Sequence, residues 1–108
     1  KDFVHHAENM LATLDSIAAE KNKIPALTEF GYNGSPDSTW WTTTFLKAIE
    51  SRKIAYALAW RNAGINEEGK YDFYVPYKGQ LSAADFIKFY NSDKTLFQRD
   101  VAKEKLYQ

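Results

Sequence analysis

The sequence has no cysteine and no excess of charge of either sign. Its 108 residues contain 14 Lys and Arg against 14 Asp and Glu, so the formal net charge is zero. The lack of cysteine excludes disulfides and thiolate metal sites. Nucleic acids and anionic membranes are bound by surfaces rich in Lys and Arg, so the balanced charge argues against both as partners.

Long apolar runs are also missing, since no stretch approaches the ~20 residues that cross a bilayer as a helix. No signal-peptide pattern is present. Because Lys1 begins directly in a helix-like segment, we expect the chain to be part of something longer. A length of 108 residues corresponds to one domain at most. Aromatic residues are abundant, at 16%, and such side chains fill cores and provide flat surfaces for sugar rings.

The spacing of apolar residues predicts helices that alternate with strands. The predicted elements are a helix over 2–21, a strand over 24–28, a helix over about 39–52, a strand over 54–60, a helix that opens at Ser82, and a last helix over about 96–106 supported by Phe97, Val101 and Leu106. Residues 31–38 and 61–80 are predicted as loops. Ser82 and Asp85 fit a capping box at the start of the third helix.

The alternation of elements implies two parallel strands joined by right-handed crossovers. The second strand is continuously apolar from Ile54 to Trp60, which is typical of a strand covered on both faces. Two parallel strands leave both sheet edges open and cannot form a stable sheet alone. The sequence therefore predicts either a slice of a larger sheet or a chain that must associate.

Candidate functional residues follow both predicted strands. Glu29 comes directly after the first strand, and the second strand ends in Trp60, followed by Arg61 and Asn62. In parallel α/β sheets, ligands bind outside the carboxyl ends of the strands. A charged group and an aromatic ring at neighbouring strand ends indicate a sugar site.

Five segments occur in order from about residue 24 onward: Pro25-Ala26-Leu27-Thr28-Glu29-Phe30-Gly31, Trp40-Trp41, Tyr56-Ala57-Leu58-Ala59-Trp60-Arg61-Asn62-Ala63, Phe73-Tyr74-Val75-Pro76-Tyr77 and Ala84-Asp85-Phe86-Ile87-Lys88-Phe89-Tyr90. Together they resemble the C-terminal part of family 26 glycoside hydrolases, the β-mannanases, which are retaining enzymes built on a (β/α)8 barrel.

The resemblance implies that residues 1–108 are an α/β fragment, the C-terminal portion of a catalytic (β/α)8 TIM barrel that holds strands seven and eight with their flanking helices. In this family the catalytic nucleophile is a Glu at the end of strand seven, which is the position of Glu29. The acid/base is a Glu at the end of strand four, outside this chain, so we expect the isolated chain to be inactive. The implied reaction is hydrolysis of internal β-1,4-mannosidic linkages in mannans by a retaining double displacement.

The resemblance also implies which side chains bind the sugar. Trp60 forms an apolar floor under the ring, while Arg61 and Asn62 donate hydrogen bonds to hydroxyl groups. Of the neighbouring Trp40 and Trp41, one lines the cleft and the other packs beneath it. The expected substrate-binding residues are Trp60, Arg61, Asn62, Tyr32, Trp41 and Phe73.

The implied ligand is a β-mannan polysaccharide or manno-oligosaccharide, and the implied protein partner is the remainder of the barrel or a second copy of the chain. The resemblance implies a secreted, periplasmic or cell-surface protein, with no metal or organic cofactor. The adjacent His5 and His6 do not change this, because neighbouring helical side chains point in different directions and no third ligand is evident.

Other interpretations stay open at this point. The chain can be a non-catalytic carbohydrate-binding or assembly fragment, or part of a related β-glucanase, β-xylanase or mannobiohydrolase. Glu29 can belong to a structural ion pair, and Trp60 can be an ordinary core residue. Arg61 can be the partner of Glu67 or Glu68.

Overall fold

The computed structural model describes residues 2–105. The elements in this range are α1 (Asp2–Glu20), β1 (Leu27–Phe30), a π-helical segment (Trp40–Phe45) that continues into α2 (Leu46–Ile49), β2 (Ala57–Ala59), β3 (Gly64–Ile65), β4 (Tyr71–Asp72), α3 (Ala83–Tyr90) and α4 (Gln98–Lys103). The predicted alternation of helices and strands is present. The predicted contribution of Leu106 to the last helix lies outside the described residues.

The first two strands pair in parallel, as the alternation of elements predicts. Both are shorter than expected: β1 begins at Leu27 rather than residue 24, and β2 covers three residues rather than seven. Pro25 explains the late start, because it lacks an N–H to donate to the ladder. Its carbonyl still accepts a hydrogen bond from Ala55 N at 2.8 Å, so the chains run side by side before the regular pairing begins.

Only one face of this small sheet is covered. Leu27 and Phe30 are buried against the core, whereas Tyr56, just before β2, and Leu58, within it, are 56% and 53% exposed. Within residues 2–105, the second face of the predicted strand therefore has no cover, as expected for a slice of a larger sheet. The helices pack against the face that carries Ala59 and leave the face with the larger side chains open.

The core is an aromatic cluster that joins β1, the π-helical segment and α3. Its buried members are Leu27, Phe30, Trp40, Trp41, Phe45 and Phe89. Phe30 and Phe45 stack with ring centroids 4.0 Å apart, and Trp40 meets Trp41 edge-on at 4.9 Å. Aromatic pairs in such geometries add about 0.5–1.5 kcal/mol beyond the area that they bury. The π-helical turn allows neighbouring tryptophans to enter the core together.

Helix α1 uses only part of its apolar stripe. Ala7, Leu11 and Ala18 are buried, whereas Met10 and Ile17 are exposed. The radius of gyration is 15.2 Å, against about 13 Å for a compact domain of this length. The described residues are therefore more open than a self-contained domain.

Residues 61–80 contain a β-hairpin where the sequence predicts a loop. Strands β3 and β4 pair antiparallel, with Ile65 opposite Tyr71. Asn66 closes the turn, because its side-chain oxygen accepts hydrogen bonds from Glu68 N and Lys70 N, both at 3.0 Å. Strands of two residues are too short to produce a recognisable period in the sequence.

The predicted capping box at α3 is wrong. Ser82 is the residue before the helix but makes no side-chain cap, and its hydroxyl donates instead to Gln80 Oε1 at 2.7 Å. The Asp85 carboxylate accepts hydrogen bonds from Thr42 N at 2.9 Å and Thr42 Oγ1 at 2.6 Å. Both side chains thus connect α3 to other segments rather than closing its own end.

Ion pairs tie the outer elements together. Arg52 Nη1 lies 2.7 Å from Asp15 Oδ2 and joins the end of the second helical stretch to α1. Lys94 Nζ donates to Glu50 Oε2 at 2.8 Å, and this hydrogen bond, helped by the charge attraction, raises the pKa of Lys94 above its ordinary value. The second pair is exposed to solvent, so it adds little stability.

Candidate functional site

Glu29 lies within β1 rather than after it, and its backbone is in the left-handed region, with φ of +55°. Leu27 pairs with Ala57 and Phe30 with Ala59, so two residues of β1 oppose one residue of β2. This arrangement is a β-bulge, which turns a side chain away from the regular alternation and is frequent beside active sites. The bulge exposes Glu29 to solvent.

Glu29 is exposed and forms part of the lining of a groove. None of the ion pairs found within residues 2–105 includes it. A groove of about 230 Å³ runs beside it between β1 and α1, lined by Phe3, His6, Ala7, Met10 and residues 27–31. The structural ion-pair interpretation has no support in this part of the chain.

Trp60, directly after β2, is hydrogen-bonded to Phe30, the residue that follows Glu29. Its backbone N–H donates to Phe30 O at 2.7 Å, which fixes the end of β2 against the residue after Glu29. Within residues 2–105, Trp60 is 37% exposed, so part of it is open to a ligand or to another part of the protein. The guanidinium carbon of Arg61 lies 6.0 Å from the centroid of the Trp60 ring, at the outer limit of a cation–π contact.

The alternative pairing of Arg61 with Glu67 or Glu68 is not formed in the described range. Glu68 pairs instead with Lys70, with 3.0 Å between Lys70 Nζ and Glu68 Oε2. Arg61 itself is exposed. Its guanidinium therefore keeps its hydrogen-bond donors for solvent or a ligand.

Asn62 is occupied by backbone groups of the chain itself. Its Oδ1 accepts hydrogen bonds from Tyr74 N at 2.9 Å and Val75 N at 3.0 Å, and its Nδ2 donates to Val75 O at 3.0 Å. The sequence predicts a side chain that donates to a sugar. The structure places it as a clamp on residues 73–75, and we correct the assignment accordingly.

Trp41 also departs from the expected binding role. It is 1% exposed, and its ring packs edge-on against Phe86 at 4.8 Å, while its Nε1 donates to Ser82 Oγ at 3.4 Å. A direct contact with a ligand needs an exposed ring face, which Trp41 does not have. We therefore assign Trp41 to the core, together with Trp40.

Tyr32 and Phe73 lie near the surface on neighbouring loops. Tyr32 is half exposed, and its ring lies 6.4 Å from that of Trp40. Phe73 is partly buried and meets Tyr77 edge-on at 5.2 Å. Both rings retain exposed surface and remain candidates for contact with a sugar.

The loop after β1 is fastened to the hairpin by contacts that the sequence did not indicate. Asn33 Nδ2 donates to Asp72 Oδ1 at 2.9 Å, and Phe73 N donates to Asn33 Oδ1 at 3.3 Å. Gly34 N donates to Phe73 O at 2.8 Å. These partners lie about 40 residues apart in sequence, so no local pattern signals them.

A buried pair of serine hydroxyls lies below the loop that follows β1. Ser35 Oγ lies 2.8 Å from Ser82 Oγ, and Gln80 Nε2 donates to Ser35 O at 3.0 Å. Ser35 and Ser82 are both almost fully buried. Their mutual hydrogen bonds satisfy the buried hydroxyls and hold the loop in place.

Within residues 2–105, no group of three or more His, Cys, Asp or Glu side chains is arranged to hold a metal ion. His5 instead shares a hydrogen bond with Asn9 Nδ2 at 3.2 Å along α1. In the same range, no helix has the length and apolar character that crossing a membrane requires.

The exposed groups at this edge of the sheet form a recognisable chemical set. Glu29 precedes Phe30, whose carbonyl accepts the backbone N–H of Trp60, and the Arg61 guanidinium lies 6.0 Å from the Trp60 ring. A carboxylate, an aromatic ring and a guanidinium thus lie on neighbouring segments of the two paired strands. Such a set suits a ligand that has both hydroxyl groups and apolar ring faces. Carbohydrates have this character.

Comparison with known proteins identifies the class to which this piece is similar. No protein-family model and no curated protein matches the chain. Among solved structures, the chain matches a glycoside hydrolase. The matched structure is that of the GH26 β-mannanase BoMan26A from Bacteroides ovatus, and the two chains share 43% sequence identity with a TM-score of 0.82.

The match covers 92% of this chain and 28% of the mannanase chain. It confirms the resemblance to family 26 that the sequence segments indicate. The chain is a small α/β piece that corresponds to part of a glycoside hydrolase of this family.

Proposed function

We propose that residues 1–108 are the C-terminal portion of a family 26 catalytic barrel and contain its strands seven and eight. A (β/α)8 barrel takes about 250 residues, and the chain spans 28% of the length of the mannanase that it matches. The bare face of the β1–β2 sheet also supports this proposal, because parallel strands need both faces covered. In the proposal, the remainder of the barrel covers the face that carries Tyr56 and Leu58.

Glu29 is proposed as the catalytic nucleophile of a retaining mechanism. Its carboxylate attacks the anomeric carbon, the bond to the leaving oxygen breaks, and a covalent glycosyl-enzyme forms. A second carboxyl group, about 5–5.5 Å away, protonates the leaving oxygen and later takes a proton from the water that releases the sugar. That acid/base belongs to a part of the enzyme outside this chain, so the isolated chain is proposed to be inactive.

The neighbours of Glu29 are proposed to bind the sugar. The exposed face of Trp60 packs against the apolar face of the ring, and Arg61 donates hydrogen bonds to hydroxyl groups. Tyr32 and Phe73 flank the cleft. Asn62 is left out of this set because its side chain is hydrogen-bonded to backbone groups, and Trp41 is left out because it is buried.

The proposed substrate is the internal β-1,4-mannosidic linkage of a mannan, with a β-mannan polysaccharide or manno-oligosaccharide as the bound ligand. The observation that carries this proposal is the 43% identity over 92% of the chain to a protein described as a β-mannanase. A secreted, periplasmic or cell-surface location follows from the polymeric substrate, which must be met outside the cytoplasm.

The direct test is active-site labelling of the full-length protein with a fluorinated mannosyl donor that accumulates the glycosyl-enzyme. Peptide mapping is expected to find the label on Glu29. A label on another residue would assign the role of nucleophile to that residue instead of Glu29. The absence of a label, under conditions that trap a known mannanase, would favour a binding or assembly fragment.

A further inference from the structure

We propose that Asn62 is a positioning residue for Glu29, acting through Tyr74 and Gly31. This inference rests on the proposed role of Glu29 as nucleophile. Asn62 follows β2, close to the sugar-binding groups, yet its side chain is directed to the chain itself. Its function in the proposal is to hold the backbone of the nucleophile rather than to contact the substrate.

The first step is the clamp that Asn62 places on residues 73–75. The oxygen and the nitrogen of one side-chain amide make three hydrogen bonds of 2.9 to 3.0 Å to backbone groups of two successive residues, Tyr74 and Val75. This double engagement fixes both the position and the direction of the segment. Residues 73–75 have no regular secondary structure of their own, so Asn62 replaces the hydrogen bonds that a helix or strand would supply.

The second step is the contact between Tyr74 and Gly31. A Cβ placed on Gly31 would lie 2.6 Å from Cδ1 and 3.0 Å from Cβ of Tyr74. The Tyr74 side chain therefore lies directly on the backbone, and only a glycine leaves room for it. Cδ1 is a ring atom, but Cβ and Cγ at the base of the side chain are also close, at 3.0 and 3.1 Å, and Cβ cannot move away without movement of the Tyr74 backbone that Asn62 holds.

The third step leads from Gly31 to Glu29. The left-handed backbone of Glu29 is unfavourable for a residue with a side chain and persists only where the surroundings enforce it. The hydrogen bond from Trp60 N to Phe30 O holds the residue that follows Glu29. The Tyr74 side chain blocks movement of Gly31, the next residue along the chain. Loss of the Asn62 clamp removes the second constraint and lets the carboxylate drift from its reacting position.

The test is Asn62→Ala in the full-length protein, with an aryl mannoside as substrate. Since a misplacement of about 1 Å can cost about a hundredfold in rate, we expect kcat to fall about ten- to a hundredfold with KM changed less than about threefold. The rate of labelling by the fluorinated donor is expected to fall in parallel. A loss confined to KM would overturn the proposal, because it would show that Asn62 contacts the sugar.

Asn66→Ala is the matched control. The Asn66 side chain also accepts two backbone hydrogen bonds, but within the hairpin turn, and it donates one to the Asp72 side chain on β4. Its replacement is expected to change kcat no more than about twofold, as for a substitution away from the site. Equal losses of kcat for both variants would overturn the proposal, because a general loosening of residues 61–80 would then explain them.

Tyr74→Ala provides a second route if Asn62→Ala fails to fold. It keeps the hydrogen bonds from the Tyr74 and Val75 N–H groups to Asn62 but removes the ring from Gly31, and it is expected to lower kcat as much as Asn62→Ala. The double variant should lose no more than either single one, because both changes break the same path. Additive losses would overturn the path through Tyr74. If Glu29 of the wild-type protein is not labelled, the proposed function is overturned. If both variants are labelled at the normal rate, only the positioning role is overturned.

Discussion

A glutamate in a left-handed backbone is a local cost that must be offset by its surroundings. For residues other than glycine, this conformation costs roughly 1–2 kcal/mol. At Glu29, φ is +55°, and the residue sits in a β-bulge with its carboxylate exposed. Placing a charged side chain there makes sense if the carboxylate itself is needed at that position.

Replacing Glu29 by Gly and by Ala separates the two roles of this residue. Both variants of the full-length protein are expected to lose mannan hydrolysis, because both lack the carboxylate. Glu29→Gly should be more stable than Glu29→Ala by about 1 kcal/mol, since only glycine adopts positive φ freely. Urea unfolding measures the difference. Equal stabilities would contradict the left-handed backbone, and hydrolysis by Glu29→Ala would contradict the nucleophile assignment.

Trp41 is buried and Trp60 is partly exposed. Replacing each by alanine should therefore have different effects on stability. Trp41→Ala is expected to cost about 3–5 kcal/mol of unfolding free energy, because it empties a fully buried site. Trp60→Ala should cost less than about 1 kcal/mol, in line with a partly exposed residue, while raising KM. Thermal unfolding and steady-state kinetics of both variants check this. A large loss of stability in Trp60→Ala would indicate that Trp60 is a core residue.

The sequence could indicate where functional residues cluster but not which of them face a ligand. Glu29, Trp60 and Arg61 follow apolar strands, so their place at one sheet edge could be inferred. The burial of Trp41 and the use of Asn62 as a clamp depend on segments distant in sequence. Such contacts are set by tertiary packing and leave no local pattern.

At the scale of elements, α3 is joined to the π-helical segment by a buried carboxylate. Asp85 accepts two hydrogen bonds from Thr42 and is 6% exposed. The sequence predicts that Ser82 and Asp85 cap their own helix. A capping box satisfies the first N–H groups of a helix locally, but here the neighbouring segment supplies stronger partners for the carboxylate.

Removing this carboxylate should destabilise the packing of α3. Asp85→Ala is expected to cost about 2–3 kcal/mol, because hydrogen bonds to a charged group are lost and the partly buried Thr42 groups are left without a partner. Asp93→Ala, at an exposed position shortly after α3, is the control and should change stability by less than about 0.5 kcal/mol. Chemical denaturation measures both. A similar small effect at both positions would contradict a structural role for Asp85.

The short hairpin and the bulge show the limits of periodicity. Strand β1 has a buried, exposed, exposed, buried pattern, because the bulge at Glu29 breaks the alternation of two. Strands β3 and β4 have two residues each and are held largely by Asn66 and the turn. The parallel pairing of β1 and β2, by contrast, followed from the order of elements alone.

At the scale of the whole molecule, the open face of the sheet dominates. Leu58 in β2 and Tyr56 just before it are exposed, and Met10 and Ile17 are exposed on α1. Apolar surface of this kind marks a contact region or an aggregation hazard. The sequence predicted the need for a partner, because two parallel strands have uncovered edges, and it did so without knowledge of any contact.

Residues 1–108 expressed alone are therefore expected to self-associate or to be poorly stable. Sedimentation velocity should show species larger than a monomer, and Leu58→Lys should reduce them by placing a charge on the open face. Lys88→Glu, on the helical side, is the control and should leave association unchanged. A well-folded monomer of the unaltered chain would contradict the proposal that this surface requires a covering partner.

The fastened loop after β1 also affects how the protein ages chemically. Asparagine followed by glycine is prone to spontaneous deamidation, in which the glycine nitrogen attacks the asparagine side-chain carbonyl. In Asn33-Gly34, that nitrogen is held by Phe73 O, and the asparagine amide is held by Asp72 and Phe73 N. The reaction therefore has to wait until the loop detaches from the hairpin. The amount of aspartate and isoaspartate that accumulates at position 33 during storage would thus record how often this part of the cleft has opened.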